Sequence, residues 1–113
     1  MASGIKTIIY PTRDLARAKA LYSTWLGIAP YIDQPYYVGF RIGEQDIGLD
    51  PHGHSKGMTG PLGYCHVANI EESLAQLLEA GTELQQAIKD VGGGKLIASV
   101  KDADGNLIGL IQS

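Results

Sequence analysis

Apolar residues recur at helical spacing in two stretches of the chain, and a short apolar run precedes each stretch. Asp14 and Gly27 bound the first stretch as a suitable N-cap and C-cap, so we predict a helix between them. Its apolar stripe consists of Leu15, Ala18, Leu21, Tyr22 and Trp25. The second stretch begins at Asn69 and ends at Gly81, and Asn69 and Glu72 stand in the positions of a capping box. Its stripe consists of Leu74, Leu77 and Leu78.

Runs rich in β-branched and apolar residues predict strands in both halves of the chain. The predicted strands of the first half are Lys6–Tyr10, Tyr31–Gln34, Tyr36–Ile42 and Gln45–Asp50. Those of the second half are Gly63–Ala68, Leu84–Val91, Lys95–Lys101 and Asn106–Gln112. The order β-α-β-β-β therefore occurs twice, and the sequence predicts an α+β fold built from two tandem modules.

The two halves also end in the same short motif. The tripeptide Ile47-Gly48-Leu49 closes the first half, and Ile108-Gly109-Leu110 closes the second. We therefore expect a duplicated module within one domain that spans residues 1–113, with module 1 at about residues 5–50 and module 2 at about residues 62–113. Residues 51–61 lack any periodicity and are predicted to be the linker.

The order and spacing of these motifs resemble the vicinal oxygen chelate superfamily, which includes glyoxalases, bleomycin-resistance proteins and dioxygenases. The residues that carry the resemblance are Asp14-Leu15, Leu21-Tyr22 with Leu26-Gly27, Asn69-Ile70-Glu71, the helix end Leu78–Gly81, and Asp102-Ala-Asp-Gly-Asn106 before the last strand. The resemblance implies two βαβββ modules that form a curved, U-shaped mixed sheet around a cavity. It also implies a homodimer with two sites.

The resemblance also identifies the positions at which metal-dependent members of the superfamily hold a divalent ion. These positions lie on the first and last strands of each module, and here they are Thr7, Gly48, Leu62 and Gly109. None of the four residues is a good metal ligand. The comparison therefore favours the metal-free, bleomycin-resistance-like branch, and we expect neither a metal ion nor another cofactor.

Strand alternation predicts which side chains line the implied cavity, because residues two apart on a strand share a face. Gly48 brings Asp50 with it, and Leu62 brings Tyr64 and His66. On the same face of the last strand lies Gly109.

A two-residue hairpin turn at Gly43-Glu44 extends this face to the third strand, because it pairs Gly39 with Gly48 and Tyr37 with Asp50. The predicted ligand-binding residues are Tyr37, Gly39, Gly48, Asp50, Tyr64, His66 and Gly109, with His54 and Met58 from the linker. Glycines that widen the space and tyrosines that stack on rings suit a bulky, flat organic ligand. The alternative is that the glycines only permit close packing and that the aromatic side chains belong to the core.

Other side chains suggest further chemistry. The candidate metal cluster of the sequence consists of Asp50, His52, His54 and His66, although a turn-rich linker explains the linker histidines as well. His66 is also a candidate general base, but a hydrogen bond to a ligand is the preferred role, and we name no catalytic residue. We expect Cys65 to be a buried thiol on the helix side. Trp25 is expected to pack in the core, with a dimer contact as the alternative.

Composition and charge limit the classes of partner. The chain has 113 residues, of which 44% are hydrophobic, and its formal net charge is −3. No cluster of Lys and Arg forms a stripe, so nucleic acid is not expected as a partner. No apolar run approaches the ~18 residues of a membrane span, and Met1–Lys6 lacks the pattern of a signal peptide. We therefore expect a soluble cytoplasmic protein without a membrane partner, and its single cysteine excludes an intrachain disulfide.

The sequence thus predicts a metal-independent protein that sequesters a hydrophobic or aromatic small molecule, such as an antibiotic or another natural product. Binding is favoured over catalysis. The first alternative is a metal-dependent lyase, isomerase or dioxygenase of the same superfamily that uses relocated histidine ligands. The second is a partner or sensor domain whose cavity is filled by side chains.

Overall fold

The structure, a computed structural model, describes residues 2–113, and Met1 lies outside the described residues. Within residues 2–113 it has eight strands in mixed parallel and antiparallel pairs and two α-helices, so the predicted α+β class is confirmed. In chain order the elements are β1 (Ala2–Pro11), α1 (Leu15–Leu26), β2 (Ile32–Gln34), β3 (Tyr37–Ile42), β4 (Gln45–Asp50), β5 (Leu62–Val67), α2 (Ile70–Glu79), β6 (Glu83–Asp90), β7 (Leu96–Lys101) and β8 (Leu107–Gln112). A short 3-10 helix, His54–Lys56, lies between β4 and β5. No helix in this part of the chain combines the length and apolarity needed to cross a membrane.

The helices begin where the sequence predicts, because their N-caps are those that the sequence offers. Asp14 Oδ1 accepts a hydrogen bond from the Arg17 amide at 3.1 Å, and Gly27 ends α1 in the left-handed region at a φ of 71°. Asn69 Oδ1 accepts from the Glu72 amide at 3.1 Å and so begins α2. The largest difference is in β1, which starts at Ala2 rather than Lys6. Backbone pairing extends this strand through small residues whose intrinsic strand propensity is low.

The chain divides into two compact units, which are described separately. The N-terminal unit consists of Thr7–Leu62. The C-terminal unit combines the segment up to Lys6 with Gly63–Ser113. Strand β1 therefore contributes residues to both units.

In the N-terminal unit the strands follow the order β2-β3-β4-β1. Strands β3 and β4 are antiparallel with Gly39 opposite Gly48, which is the register that the predicted hairpin turn requires. The core consists of Val38, Phe40 and Leu49, packed against α1 residues that include Leu15, Ala18, Tyr22 and Leu26. Because side chains alternate along a strand, Gly39 and Gly48 lie on the face away from α1.

The C-terminal unit repeats this arrangement with the strand order β5-β8-β7-β6. Strands β5 and β8 are parallel and place Tyr64 beside Gly109. The core consists of Val67, Ile70, Ala98 and Leu110, with Cys65, Leu74 and Leu77 packed against it. Cys65 therefore lies on the helix side as predicted, although its side chain is only partly buried. The Gln112 side chain accepts a hydrogen bond from the Ile70 amide at 2.7 Å and ties the end of β8 to the start of α2.

The prediction that Trp25 packs in the core is wrong. Trp25 is 76% exposed and Leu21 is 63% exposed, whereas Leu26 packs against the core. At 100° per residue, Trp25 and Leu21 lie roughly 80° or more to one side of the row formed by Leu15, Tyr22 and Leu26. The apolar stripe of α1 is thus wider than the surface that the strands cover.

Strands β5 and β8 approach each other so closely that only glycine fits at position 109. A Cβ atom added to Gly109 would lie 2.8 Å from the carbonyl oxygen of Gly63 and 2.7 Å from Cδ1 of Tyr64. The carbonyl oxygen belongs to the backbone, so it moves only if the strand moves. At Gly60, by contrast, an added Cβ would meet no atom within 4 Å.

We expect the substitution Gly109→Ala to lower the free energy of unfolding by about 1–3 kcal/mol, the usual cost of an overpacked site. Gly60→Ala is the matched control and should change that free energy by less than about 0.5 kcal/mol. Denaturant unfolding of the two variants measures the difference. Equal stabilities would contradict the close approach of the two strands.

Candidate functional site

The face of the N-terminal unit that lies away from α1 carries a tyrosine ring on two glycines. A Cβ atom added to Gly48 would lie 2.6 Å from Cζ of Tyr37 and closer still to its hydroxyl oxygen. A Cβ atom added to Gly39 would lie 3.1 Å from Cε2 of the same ring. The side chains that these glycines lack would occupy the space that Tyr37 fills. A side chain at Gly48 would therefore displace the ring, whereas one at Gly39 would require only a small shift of it.

A polar cluster borders this ring. Arg41 Nε donates a hydrogen bond to Asp46 Oδ1 at 2.8 Å, and the guanidinium lies 4.3 Å above the centre of the Tyr31 ring. Arg41 Nη2 also donates to the Tyr31 hydroxyl at 3.2 Å. Asp46 is 18% exposed and Arg41 is 52% exposed, so a partly buried carboxylate fixes the orientation of an accessible cation. Burial, and then the Asp46 carboxylate, raises the pKa of the Tyr31 hydroxyl, which therefore keeps its proton.

The C-terminal unit has a second tyrosine ring on a glycine. Cδ1 and Cε1 of Tyr64 would lie 2.7 Å and 3.0 Å from a Cβ atom at Gly109. His66 lies two residues further along β5 and is therefore on the same face, with Ile111 of β8 as its register partner. Tyr64 and His66 are both partly exposed. Each unit thus presents an aromatic ring, backed by glycine, on the face away from its helix.

Asp50 organises the loop that follows β4. Its Oδ1 accepts a hydrogen bond from the His52 amide at 2.8 Å, and its Oδ2 pairs with Lys56 Nζ at 3.0 Å. The side chain is only 13% exposed. Both carboxylate oxygens are therefore engaged within the loop, where they hold the 3-10 helix against the end of β4.

His54 and Met58 belong to the same loop. The Met58 amide donates to the Gly53 carbonyl at 3.0 Å, and Met58 Sδ would lie 3.1 Å from a Cβ atom at Gly53. His54 is half-buried, and among the described residues its Nδ1 atom has no hydrogen-bond partner. The Met58 side chain thus packs against Gly53 within the linker.

The residues of the structure do not fit the metal ion that the superfamily implies. Thr7 and Leu62 are buried side chains without a strong ligand atom, and the other two implied positions are glycines. Within residues 2–113, no group of three or more His, Cys, Asp or Glu side chains could hold a metal ion. Asp50, His52, His54 and His66 therefore do not form a cluster of this kind.

A small cavity of about 260 Å³ lies on the α2 side of the C-terminal unit. Its walls include Cys65, Val67, Leu77 and Leu110, with Ser73 and Gln76 from α2. None of the predicted ligand-binding residues lines this cavity. Pockets for drug-sized ligands usually measure about 300–1,000 Å³, so this cavity suits only a small group.

The predicted ligand-binding residues fall into three groups. The N-terminal unit holds Tyr37, Gly39 and Gly48 together, and the C-terminal unit holds Tyr64, His66 and Gly109 together. The third group is Asp50, at the end of β4, with His54 and Met58 of the linker loop. The predicted hairpin turn also pairs Arg41 with Asp46 and places Arg41 on the same face as Gly39, and the structure confirms that pairing. The contact of both residues with Tyr31 was not predicted. Tyr31 lies before the short strand β2 and gives no pattern of its own.

Comparison with known proteins gives a family and a fold. A family model described as the Glyoxalase/Bleomycin resistance protein/Dioxygenase superfamily matches residues 4–110. No curated protein sequence is a significant match.

Several solved structures share the fold at low sequence identity. Methylmalonyl-CoA epimerase from Mycobacterium tuberculosis has a TM-score of 0.72 and 18% identity, with 98% of this chain and 88% of that chain covered. A superfamily member from Vibrio splendidus 12B01 has a TM-score of 0.71 and 16% identity, with 99% and 98% covered. A protein described as an NAD-dependent benzaldehyde dehydrogenase from Legionella pneumophila has a TM-score of 0.76 and 14% identity, with 94% and 96% covered.

At these identities the structural similarity shows the fold alone. The family model covers nearly the whole chain, including both helices and most of every strand. The chain therefore belongs to the Glyoxalase/Bleomycin resistance protein/Dioxygenase superfamily, as its sequence motifs indicate.

Proposed function

We propose that this protein binds a hydrophobic or aromatic small molecule without a metal ion and sequesters it unchanged. The observation that carries the proposal is the pair of tyrosine rings that rest on glycines. Tyr37 lies across Gly39 and Gly48, and Tyr64 lies on Gly109. Each ring is on the face of its unit that the helix leaves uncovered.

A ring held in this way is a preorganised surface for a planar ligand. Tyr37 and Tyr64 are both partly exposed, so each ring has surface available for contact. Close backing by the glycine backbone limits the movement of the ring, and a ligand that stacks on it loses less free energy to ordering. The hydroxyl groups add directional hydrogen bonds to an otherwise apolar contact.

The polar groups around the rings suit binding better than catalysis. His66 shares a face with Tyr64, and we propose that it offers a hydrogen bond to the ligand. Asp50, which would have to orient a histidine base, is engaged with the His52 amide and with Lys56 in its own loop. We therefore assign no catalytic residue.

The finer parts of the proposal rest on the resemblance. We propose a cytoplasmic homodimer and a ligand such as an antibiotic or another natural product. The curved, U-shaped sheet around a cavity and the contributions of Asp50, His54 and Met58 to ligand binding stay predictions.

One observation favours the alternative, a metal-dependent lyase, isomerase or dioxygenase. The chain shares its fold with a methylmalonyl-CoA epimerase, which is an isomerase by name. The arrangement of possible metal ligands argues against this alternative, because no three His, Cys, Asp or Glu side chains among the described residues lie close enough to hold a metal ion. Metal content separates the two functions directly.

We expect aromatic natural products, from a panel that includes bleomycin-like and polycyclic compounds, to raise the melting temperature of the purified protein. A ligand at ~100 times its dissociation constant should stabilise the fold by ~2.7 kcal/mol, which a thermal-shift screen detects. The substitution Tyr64→Ala should lower the affinity for the best ligand about tenfold or more, because a stacked ring and its buried area are lost. The substitution His66→Ala should also lower the affinity for this ligand.

Tyr36→Ala is the matched control for these variants, because Tyr36 is 64% exposed and precedes β3. The Tyr36→Ala variant should bind the best ligand with the same affinity as the unchanged protein. Unchanged affinity in both Tyr64→Ala and His66→Ala would refute the assignment of the site. A screen without any stabilising compound would refute sequestration itself.

We also expect the purified protein to contain no stoichiometric zinc, iron, manganese, nickel or cobalt. Inductively coupled plasma mass spectrometry measures this metal content. Chelation should leave both the melting temperature and the ligand affinity unchanged. The contrary result, stoichiometric metal that is lost in His54→Ala or His66→Ala, would establish relocated histidine ligands and the enzymatic alternative.

A further inference from the structure

Helix α1 presents a face that is both apolar and basic. Arg17, Leu21 and Trp25 follow one another at four-residue spacing, so they form one row along the helix. Leu21 is 63% exposed and Trp25 is 76% exposed. Arg13 is also exposed and lies directly before the N-cap. The sole tryptophan of the chain is thus on the surface, on the same helix as Arg17 and beyond Arg13 in the chain.

Neither Arg13 nor Arg17 is paired with a carboxylate in the described part of the chain. Both lie at the N-terminal end of α1, where the helix dipole disfavours positive charge, and the Asp14 carboxylate at the N-cap offsets only one of the two cations. This end of α1 therefore keeps an excess of positive charge, which a negative surface would stabilise.

Helix α2 presents the opposite charge. Glu71, Ala75, Leu78 and Glu79 share one exposed face of this helix, and Glu72 lies beside it in the first turn. Leu78 is 39% exposed. In this part of the chain, no basic side chain pairs with the three glutamates. Helix α2 thus carries acidic residues beside an exposed apolar side chain, whereas α1 carries basic residues beside exposed apolar side chains.

We infer that α1 of one copy of this chain docks on α2 of a second copy, an inference that rests on the proposed homodimer. The basic residues lie at the start of α1 and the apolar pair lies towards its end. On α2, Glu71 and Glu72 lie at the start and Leu78 lies towards the end. A parallel alignment therefore brings Arg17 to the two glutamates and Trp25 to Leu78.

A second copy is the partner that the charges favour. The chain carries a net charge of −3, so two copies with evenly mixed surfaces would repel each other weakly. The separation of Arg13 and Arg17 from Glu71 and Glu72 onto different helices turns this repulsion into attraction at the contact. Tryptophan and arginine are also the residues that contribute most to binding at protein interfaces.

Charge reversal in two separate variants tests this contact. We would prepare a basic-face variant, R13E/R17E, and an acidic-face variant, E71R/E72R. Analytical ultracentrifugation measures self-association, and emission from Trp25 reports whether its ring leaves water. For the unchanged protein we expect association that weakens in high salt, with Trp25 emission shifting to shorter wavelength as the concentration rises.

Each variant alone should associate about tenfold more weakly or worse, because like charges then face each other. An equimolar mixture of the two should associate nearly as well as the unchanged protein, since the exchanged charges again match. Lys89→Glu, a reversal on an exposed position of β6, is the matched control and should leave association unchanged. Circular dichroism checks that both variants keep their helices.

The outcomes separate the contact from the dimer. A protein that stays monomeric at every concentration overturns both the homodimer and the contact. A dimer that forms equally well in R13E/R17E overturns the contact and leaves the homodimer in place. A mixture that fails to associate, when both variants are folded, overturns the contact as well.

Discussion

Each helix of this protein packs on one face only of its four strands, and the placement of nearly every other side chain follows from this constraint. In the N-terminal unit Val38, Phe40 and Leu49 are buried against α1, and in the C-terminal unit Ala98 and Leu110 are buried against α2. Because side chains alternate along a strand, the residues between them must lie on the other face. Packing against the helix therefore constrains one face of the strands in each unit, and the other face carries Tyr37 in one unit and Tyr64 in the other.

On the face of each unit away from its helix, the glycines do not widen a cavity as the sequence predicts, because tyrosine rings lie against them. Glycine at the centre of the two IGL tripeptides removes a potential metal ligand and also clears space on the strand. Tyr37 and Tyr64 fill that space, so the glycines seat aromatic rings rather than leaving a void. The structure thus shows the close packing of the alternative interpretation, and contact between these rings and a flat ligand stays a prediction.

The two units share their strand order, and the exposed surfaces of their helices carry opposite charges. Helix α1 has cations at its N-terminal end, where the dipole disfavours them, and α2 has glutamates there, where the dipole favours them. The exposed apolar residues Leu21, Trp25 and Leu78 accompany these opposite charges. A similar backbone thus carries complementary surfaces in the two halves of one chain.

The sequence by itself determined the helices and their N-caps, the β3–β4 register and the superfamily, because these depend on local hydrogen bonds and on periodicity. Asp14 and Asn69 cap their helices wherever the rest of the chain lies, and the turn at Gly43 fixes the pairing of Gly39 with Gly48. Only the tertiary structure decided where Trp25 lies, since the width of the strands that α1 covers is not encoded in α1. The same holds for the Arg41–Tyr31 contact and for the tyrosine rings on their glycines, because each joins residues whose distance depends on packing between strands rather than on spacing along the chain.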